Sequence, residues 1–247
     1  MEIEERASPN HGPRRGVARP DMVVLHYTGM ASAEAARARL SDPAAEVSAH
    51  YLIDLGGGVL RLVPEDRRAW HAGHAGWGAV ADINSHSVGI ELANPGTGPA
   101  AHPFPEPQIA ALEALLSALL ARHRIPPERV LGHACVAPGR KIDPGPRFDW
   151  RRLACGGLSI WPEERGLSGD LGSAPGPADA ARFRRAARAF GYPLGAGVDW
   201  DAENLSVWRA FAERFRPGEA GAPTAAGVDM LEKLAARWPA MPASPHA

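Results

Sequence analysis

Several things are scarce in this chain of 247 residues, and each scarcity removes a class of protein. Only two cysteines are present, which excludes a disulfide-stapled scaffold. No apolar run approaches the roughly 20 residues that a membrane-spanning helix needs, and Met22–Leu25 is typical of what there is. Neither sign of charge dominates, because 27 Lys and Arg face 28 Asp and Glu for a net charge of −1. That balance gives no electrostatic case for a nucleic acid or an anionic membrane surface as partner. Residues 1–20 carry mixed charges, Pro9, Pro13 and Pro20, but no apolar segment, so no secretory signal is read there.

Hydrophobic residues, by contrast, make up 45% of the chain, enough to bury a core. Glycine (27) and proline (24) are plentiful but follow no repeat, as in a loop-rich globular protein.

Residues 1–20 read as a loose leader. Met22–Tyr27 and Ser87–Leu92 read as buried strands. Ser32 caps a helix that runs to Leu40, with Glu34 in its first turn. Gly56, Gly57 and Gly58 sit between Tyr51–Asp54 and Val59–Val63, a hairpin pattern. Gln108–His123 carries Ile109, Leu112, Leu115, Leu116, Leu119 and Leu120 at helical spacing and stops at Pro126 and Pro127. Arg129–Gly132 is a short strand, and Phe148–Leu153 begins another helix. Strands alternating with helices imply an α/β domain over 21–165. Residues 166–177 form a Gly/Ser/Pro linker, and 178–240 hold three amphipathic helices without a strand. Their stripes are Phe183, Ala186, Ala187 and Phe190; Leu205, Trp208, Ala212 and Phe215; and Leu231, Leu234, Ala235 and Trp238. A bundle this small is marginal alone and is expected to dock on the first domain, either to stabilise it or to bind.

Ten histidines invite a metal reading, although a lone histidine is more often a surface or core residue. His26 ends a buried strand, His133 follows a second short strand, and Asp143 lies ten residues later in a Pro/Gly loop. Two imidazoles and one carboxylate make a three-ligand zinc set with a fourth position open, though spacing alone is weak support.

The segments Val24-Leu25-His26-Tyr27-Thr28, Ser48-Ala49-His50-Tyr51-Leu52-Ile53, Ala69-Trp70-His71-Ala72-Gly73, Val88-Gly89-Ile90-Glu91-Leu92-Ala93-Asn94 and Gly132-His133 through Pro146 carry a resemblance. In this order they resemble the zinc-dependent N-acetylmuramoyl-L-alanine amidases, relatives of phage amidase lysozymes and animal peptidoglycan recognition proteins. The resemblance implies a central mixed β-sheet flanked by helices. It makes the three C-terminal helices a small peptidoglycan-binding-type module, as in one branch of the family. It implies that His26, His133 and Asp143 hold one Zn2+, that Glu91 activates water and that Lys141 stabilises an oxyanion. The implied activity is hydrolysis of the amide between N-acetylmuramic acid, or its anhydro form, and L-alanine, in peptidoglycan or muropeptides. The rival is a non-catalytic peptidoglycan-binding protein of the same fold, against which the retained ligands, Glu91 and Lys141 weigh.

Tyr27, His50, Trp70, His71 and Arg61 are candidate substrate contacts, with His74, Trp77 and Arg140 nearby in the same reading. Trp70 has an alternative as core packing. Cys135 stands where the family often has Asp and reads as a small buried residue, and Cys155 as a core residue on a helix face. A monomer in the cytoplasm is expected, or in the cell envelope if a signal lies upstream.

Overall fold

The computed structural model describes residues 2–98, 101–162, 176–195, 197, 199–218 and 221–240. In chain order, the elements begin with β1 (Glu4–Glu5), β2 (His11–Pro13), β3 (Met22–Tyr27), α1 (Ala33–Ser41), β4 (Tyr51–Ile53) and β5 (Val59–Arg61). Next come β6 (Arg67–Ala69), α2 (Ile83–His86), β7 (Ser87–Leu92), α3 (Glu106–His123), β8 (Val130–Gly132) and α4 (His133–Val136). The chain continues through α5 (Trp150–Cys155), α6 (Pro177–Phe190), α7 (Ala202–Phe215) and α8 (Ala225–Arg237).

The main sheet has the order β1-β5-β4-β7-β3-β8. β4, β7, β3 and β8 run parallel, while β5 is antiparallel to β4, so the sheet is mixed as expected. Alternation along the strands decides what each face meets. Val23 and Leu25 of β3, with Val88, Ile90 and Leu92 of β7, pack against α3 through Ile109, Leu112, Leu115, Leu116 and Leu119. Met22 and Val24 point the other way, toward α4 and the three C-terminal helices. Gly57 sits at φ +87 in the β4–β5 turn, where a Cβ would come 2.6 Å from the Pro107 carbonyl, so glycine is required there.

The C-terminal helices do not enclose a core of their own. Phe183, Phe190, Val207, Trp208, Phe211 and Leu231 belong to one buried cluster with Met22, Val24, Leu131 and Val136. The expected docking is therefore a shared interior. Leu205 departs from its expected stripe and is 41% exposed. It lies on the flank of α7 in the first turn, while Asn204, Val207, Trp208, Phe211 and Phe215 face inward. The linker expected at 166–177 lies almost wholly outside the described residues.

Residues 2–20 are not the loose leader expected. β1 pairs with β5, and β2 with β6. Arg14, directly after β2, reaches inward and donates to the carbonyls of Glu65, Asn84, Ser85 and Ser87. The segment lacks an apolar pattern because backbone pairing and polar side chains anchor it. No helix among the described residues is long and apolar enough to cross a membrane.

Candidate metal and catalytic site

Functional groups gather at the carboxyl ends of the parallel strands, the usual location in open α/β sheets. His26 is the fifth residue of β3 and is register partner to Glu91 on β7. His133 begins α4 directly after β8. Asp143 returns in the following loop, and its carbonyl accepts from the Ala134 amide at 2.9 Å.

The three side chains meet in a tight triangle. His26 Nδ1 lies 2.9 Å from His133 Nδ1 and 2.9 Å from Asp143 Oδ2, and His133 Nδ1 lies 3.0 Å from Asp143 Oδ2. All three residues are buried. Two imidazole nitrogens and a carboxylate oxygen this close suit donors each about 2.0–2.2 Å from one cation. The far nitrogen of His133, Nε2, lies 3.1 Å from the Ala72 carbonyl, which can only accept. That bond puts the His133 proton on Nε2 and leaves Nδ1 a bare lone pair toward the triangle. The donor set therefore fits a borderline divalent metal such as zinc.

Electrostatics agree. Burial and the neighbouring His133 charge lower the His26 pKa to about 4, so its ring is neutral at pH 7. Burial opposes ionisation of Asp143, but the His133 and His26 rings beside it outweigh that and hold the carboxyl well below its ordinary range. Glu91 behaves oppositely. Burial, then the Asp143 charge, raises its pKa to about 8, with Lys141 pulling the other way. Its Oε2 is buried and has no hydrogen-bond partner in the structure.

A cavity of about 390 Å³ opens over the triangle. His26, His133 and Asp143 line it together with Glu91, Lys141, Tyr27, Trp70, His71 and Arg140. Eight of these were named from sequence as site residues or substrate contacts and Arg140 was placed beside them, with Trp70 in the groove rather than packed wholly as core. Arg140 is braced by the carbonyls of Ala72 and His74.

Other expected contacts fall elsewhere. Arg61 lies on β5, pairs with Glu5 and does not line the cavity. His50 is fully buried behind His71, with ring centroids 5.8 Å apart. Its Nδ1 accepts from the Gly89 amide and its Nε2 donates to the Arg67 carbonyl, which leaves nothing for a substrate. Trp77 is core, edge-on to Phe190 and Tyr192. Cys135 is buried as read, but Cys155 is exposed, at the last position of a six-residue helix.

Sequence reading missed Asn84 and Ser87. Asn84 Oδ1 accepts from the amides of His71 (3.0 Å) and Ala72 (2.8 Å), pinning the loop that brings His71 to the site. The available signal was the alternation Ser87, Gly89, Glu91, which puts all three on one face of β7.

Comparison with known proteins converges on one group. The sequence profile of the family described as N-acetylmuramoyl-L-alanine amidase (Amidase_2) matches residues 16–146. The chain is 37% identical over 231 residues to the N-acetylmuramoyl-L-alanine amidase AmiD of Escherichia coli K12, covering 86% of this chain and 82% of that one. A stretch of 107 residues is 42% identical to the 1,6-anhydro-N-acetylmuramyl-L-alanine amidase AmpD of Citrobacter freundii, covering 43% of this chain and 55% of that one. The structure of E. coli AmiD with its substrate anhydro-N-acetylmuramic acid-L-Ala-D-gamma-Glu-L-Lys matches with a TM-score of 0.79 at 32% identity, covering 94% of this chain and 93% of that one.

Proposed function

The chain belongs to the N-acetylmuramoyl-L-alanine amidase family, and from that premise we propose that it is a zinc hydrolase cutting the amide between N-acetylmuramic acid, in its anhydro form, and L-alanine. The observation that carries this reading is the joining of the His26, His133 and Asp143 triangle, the unpartnered Glu91 carboxylate and Lys141 in one cavity. The anhydro sugar is the choice because both AmpD and the ligand of the AmiD structure carry that chemistry in their names.

His26, His133 and Asp143 would hold the metal. Zinc, when bound, supplies Lewis acidity toward an amide carbonyl and makes nearby water more acidic. Glu91 lines the same cavity with a free buried oxygen, so in its ionised form it is suited to take a proton from attacking water and return it to the leaving amine. Lys141 brings a positive charge to the same cavity, where negative charge develops on the carbonyl oxygen. Arg140, braced at the rim, supplies a cation for a carboxylate of the peptide stem. Tyr27, Trp70 and His71 form the wall, and an aromatic face suits a sugar ring or peptide stem.

Two free cysteines, one of them exposed, suit a reducing compartment, and we place the work of the enzyme in the cytoplasm on released wall fragments. Mass spectrometry of a purified anhydro-muropeptide incubated with the protein tests the reading. Free stem peptide should appear, stop with a chelator and return with zinc. Binding without product, from zinc-loaded protein, would replace the enzyme with a wall-binding protein of the same fold.

A further inference from the structure

The three ligand atoms need bare lone pairs, and neutral imidazole has one proton to place on either of two nitrogens. For His133 the Ala72 carbonyl settles the matter. For His26 the far nitrogen meets another histidine, and a pair of imidazoles does not by itself choose a direction. His26 Nε2 lies 3.0 Å from His71 Nδ1. The chain of contacts does not stop there, because His71 Nε2 lies 3.0 Å from Ser87 Oγ, and Ser87 Oγ lies 2.6 Å from the Ile83 carbonyl.

That last contact gives the chain its sense. A carbonyl only accepts, so the Ser87 hydroxyl proton lies on the bond to Ile83. Ser87 then has only lone pairs to offer His71, and His71 Nε2 must carry the proton between them. Neutral His71 therefore presents a bare Nδ1 to His26. His26 must in turn place its proton on Nε2, which leaves its Nδ1 bare toward His133 and Asp143. The reverse tautomer would set two lone pairs against each other at Ser87.

We infer that His71 is a positioning residue that, oriented by Ser87, fixes His26 in its metal-binding tautomer. The inference rests on the reading of His26, His133 and Asp143 as a metal site. The fold commits several groups to this arrangement. A Cβ on Gly89 would come 2.5 Å from His71 Cγ, so only glycine at that point of β7 lets the ring lie flat over the strand. Asn84 holds the His71 and Ala72 amides together. One short loop thus delivers the outer partner of both histidine ligands, a side chain to His26 and a carbonyl to His133. Outer partners of this kind orient the ring and raise its basicity.

Asparagine and glutamine at position 71 separate the two contacts. The Asn amide oxygen falls where Nδ1 is, so His71→Asn keeps an acceptor for His26. The longer Gln amide falls where Nε2 is, so His71→Gln keeps the Ser87 contact and loses the acceptor. Zinc affinity is read by chelator competition on the full-length protein, with circular dichroism confirming the fold of each variant. His71→Gln should bind zinc roughly 10–100-fold more weakly, and His71→Asn should return most of that loss. Equal affinity in both variants, strong or weak, would overturn the inference. A folded wild-type protein that takes up no zinc would instead remove the metal-site reading on which it stands.

Discussion

Glu91 shows how much a residue's neighbours decide. In a strand otherwise given to Val88, Ile90 and Leu92, its carboxylate faces the ligand triangle with one oxygen unpartnered. Glu91→Gln keeps the size and removes the ionisable carboxyl that the proposed reaction uses as its base. It should lower kcat by roughly 10²–10⁴-fold while bound zinc, read by elemental analysis, stays at the wild-type level. Lys141→Met should cost roughly 10²–10³-fold in kcat, again with full zinc content, if the ammonium serves the developing charge. At this scale the sequence was informative where a motif tied a residue to a strand end. His26, Glu91, His133, Lys141 and Asp143 all line one cavity. It was uninformative where the same residue type serves packing, as with His50 behind His71 and Trp77 among Phe190 and Tyr192.

At the scale of elements, short apolar runs placed β3 and β7, the Ser32 cap placed α1, and an apolar stripe at helical spacing placed α3. Such patterns could not place β1 and β2, which contribute backbone pairing, with Arg14 just after β2, rather than buried apolar surface. Arg14→Met would strip donors from four carbonyls and should cost about 2 kcal/mol in urea unfolding. A second tie joins α3 to the sheet. Glu65 accepts from Tyr51 of β4 and from Arg122 and His123 at the end of α3. Burial pushes the Glu65 pKa up, but these hydrogen bonds outweigh it and hold it below its ordinary 4.5. A carboxyl depressed in the folded state contributes stability above its unfolded pKa and loses it as pH falls. Wild-type stability should therefore drop as pH falls below about 4.5, and Glu65→Gln should be less stable at pH 7 with a flatter acid limb. Chemical denaturation across pH 3–7 (about that window) reads both.

On the scale of the whole molecule, the shared core makes the sheet and the C-terminal helices one thermodynamic object. Trp208 is fully buried against Phe183, Phe211 and Trp200 and belongs to the cluster that includes Met22 and Leu131. Trp208→Ala should cost about 3–5 kcal/mol and shift a single calorimetric transition. Two separated transitions, only one of them moved, would mean that the helices unfold independently. The amphipathic stripes of these helices were legible in sequence, but what they face was not, because a stripe does not state its partner.

The sheet order also constrains how the molecule comes into being on the ribosome. β3 is made early, yet it lies between β7 and β8 and cannot be flanked on both sides until residue 132 has emerged. The ligand triangle closes only with Asp143, and the face bearing Met22, Val24 and Leu131 waits longer still for α6, α7 and α8. A growing chain therefore carries an uncovered apolar face for the time it takes to translate its last third, the interval in which nascent chains attract chaperones. Ribosome-bound chains of increasing length, probed with protease, should become resistant only after α7 has left the exit tunnel, so that closure of the His26, His133 and Asp143 triangle and protection from aggregation mature at different times in the birth of one polypeptide.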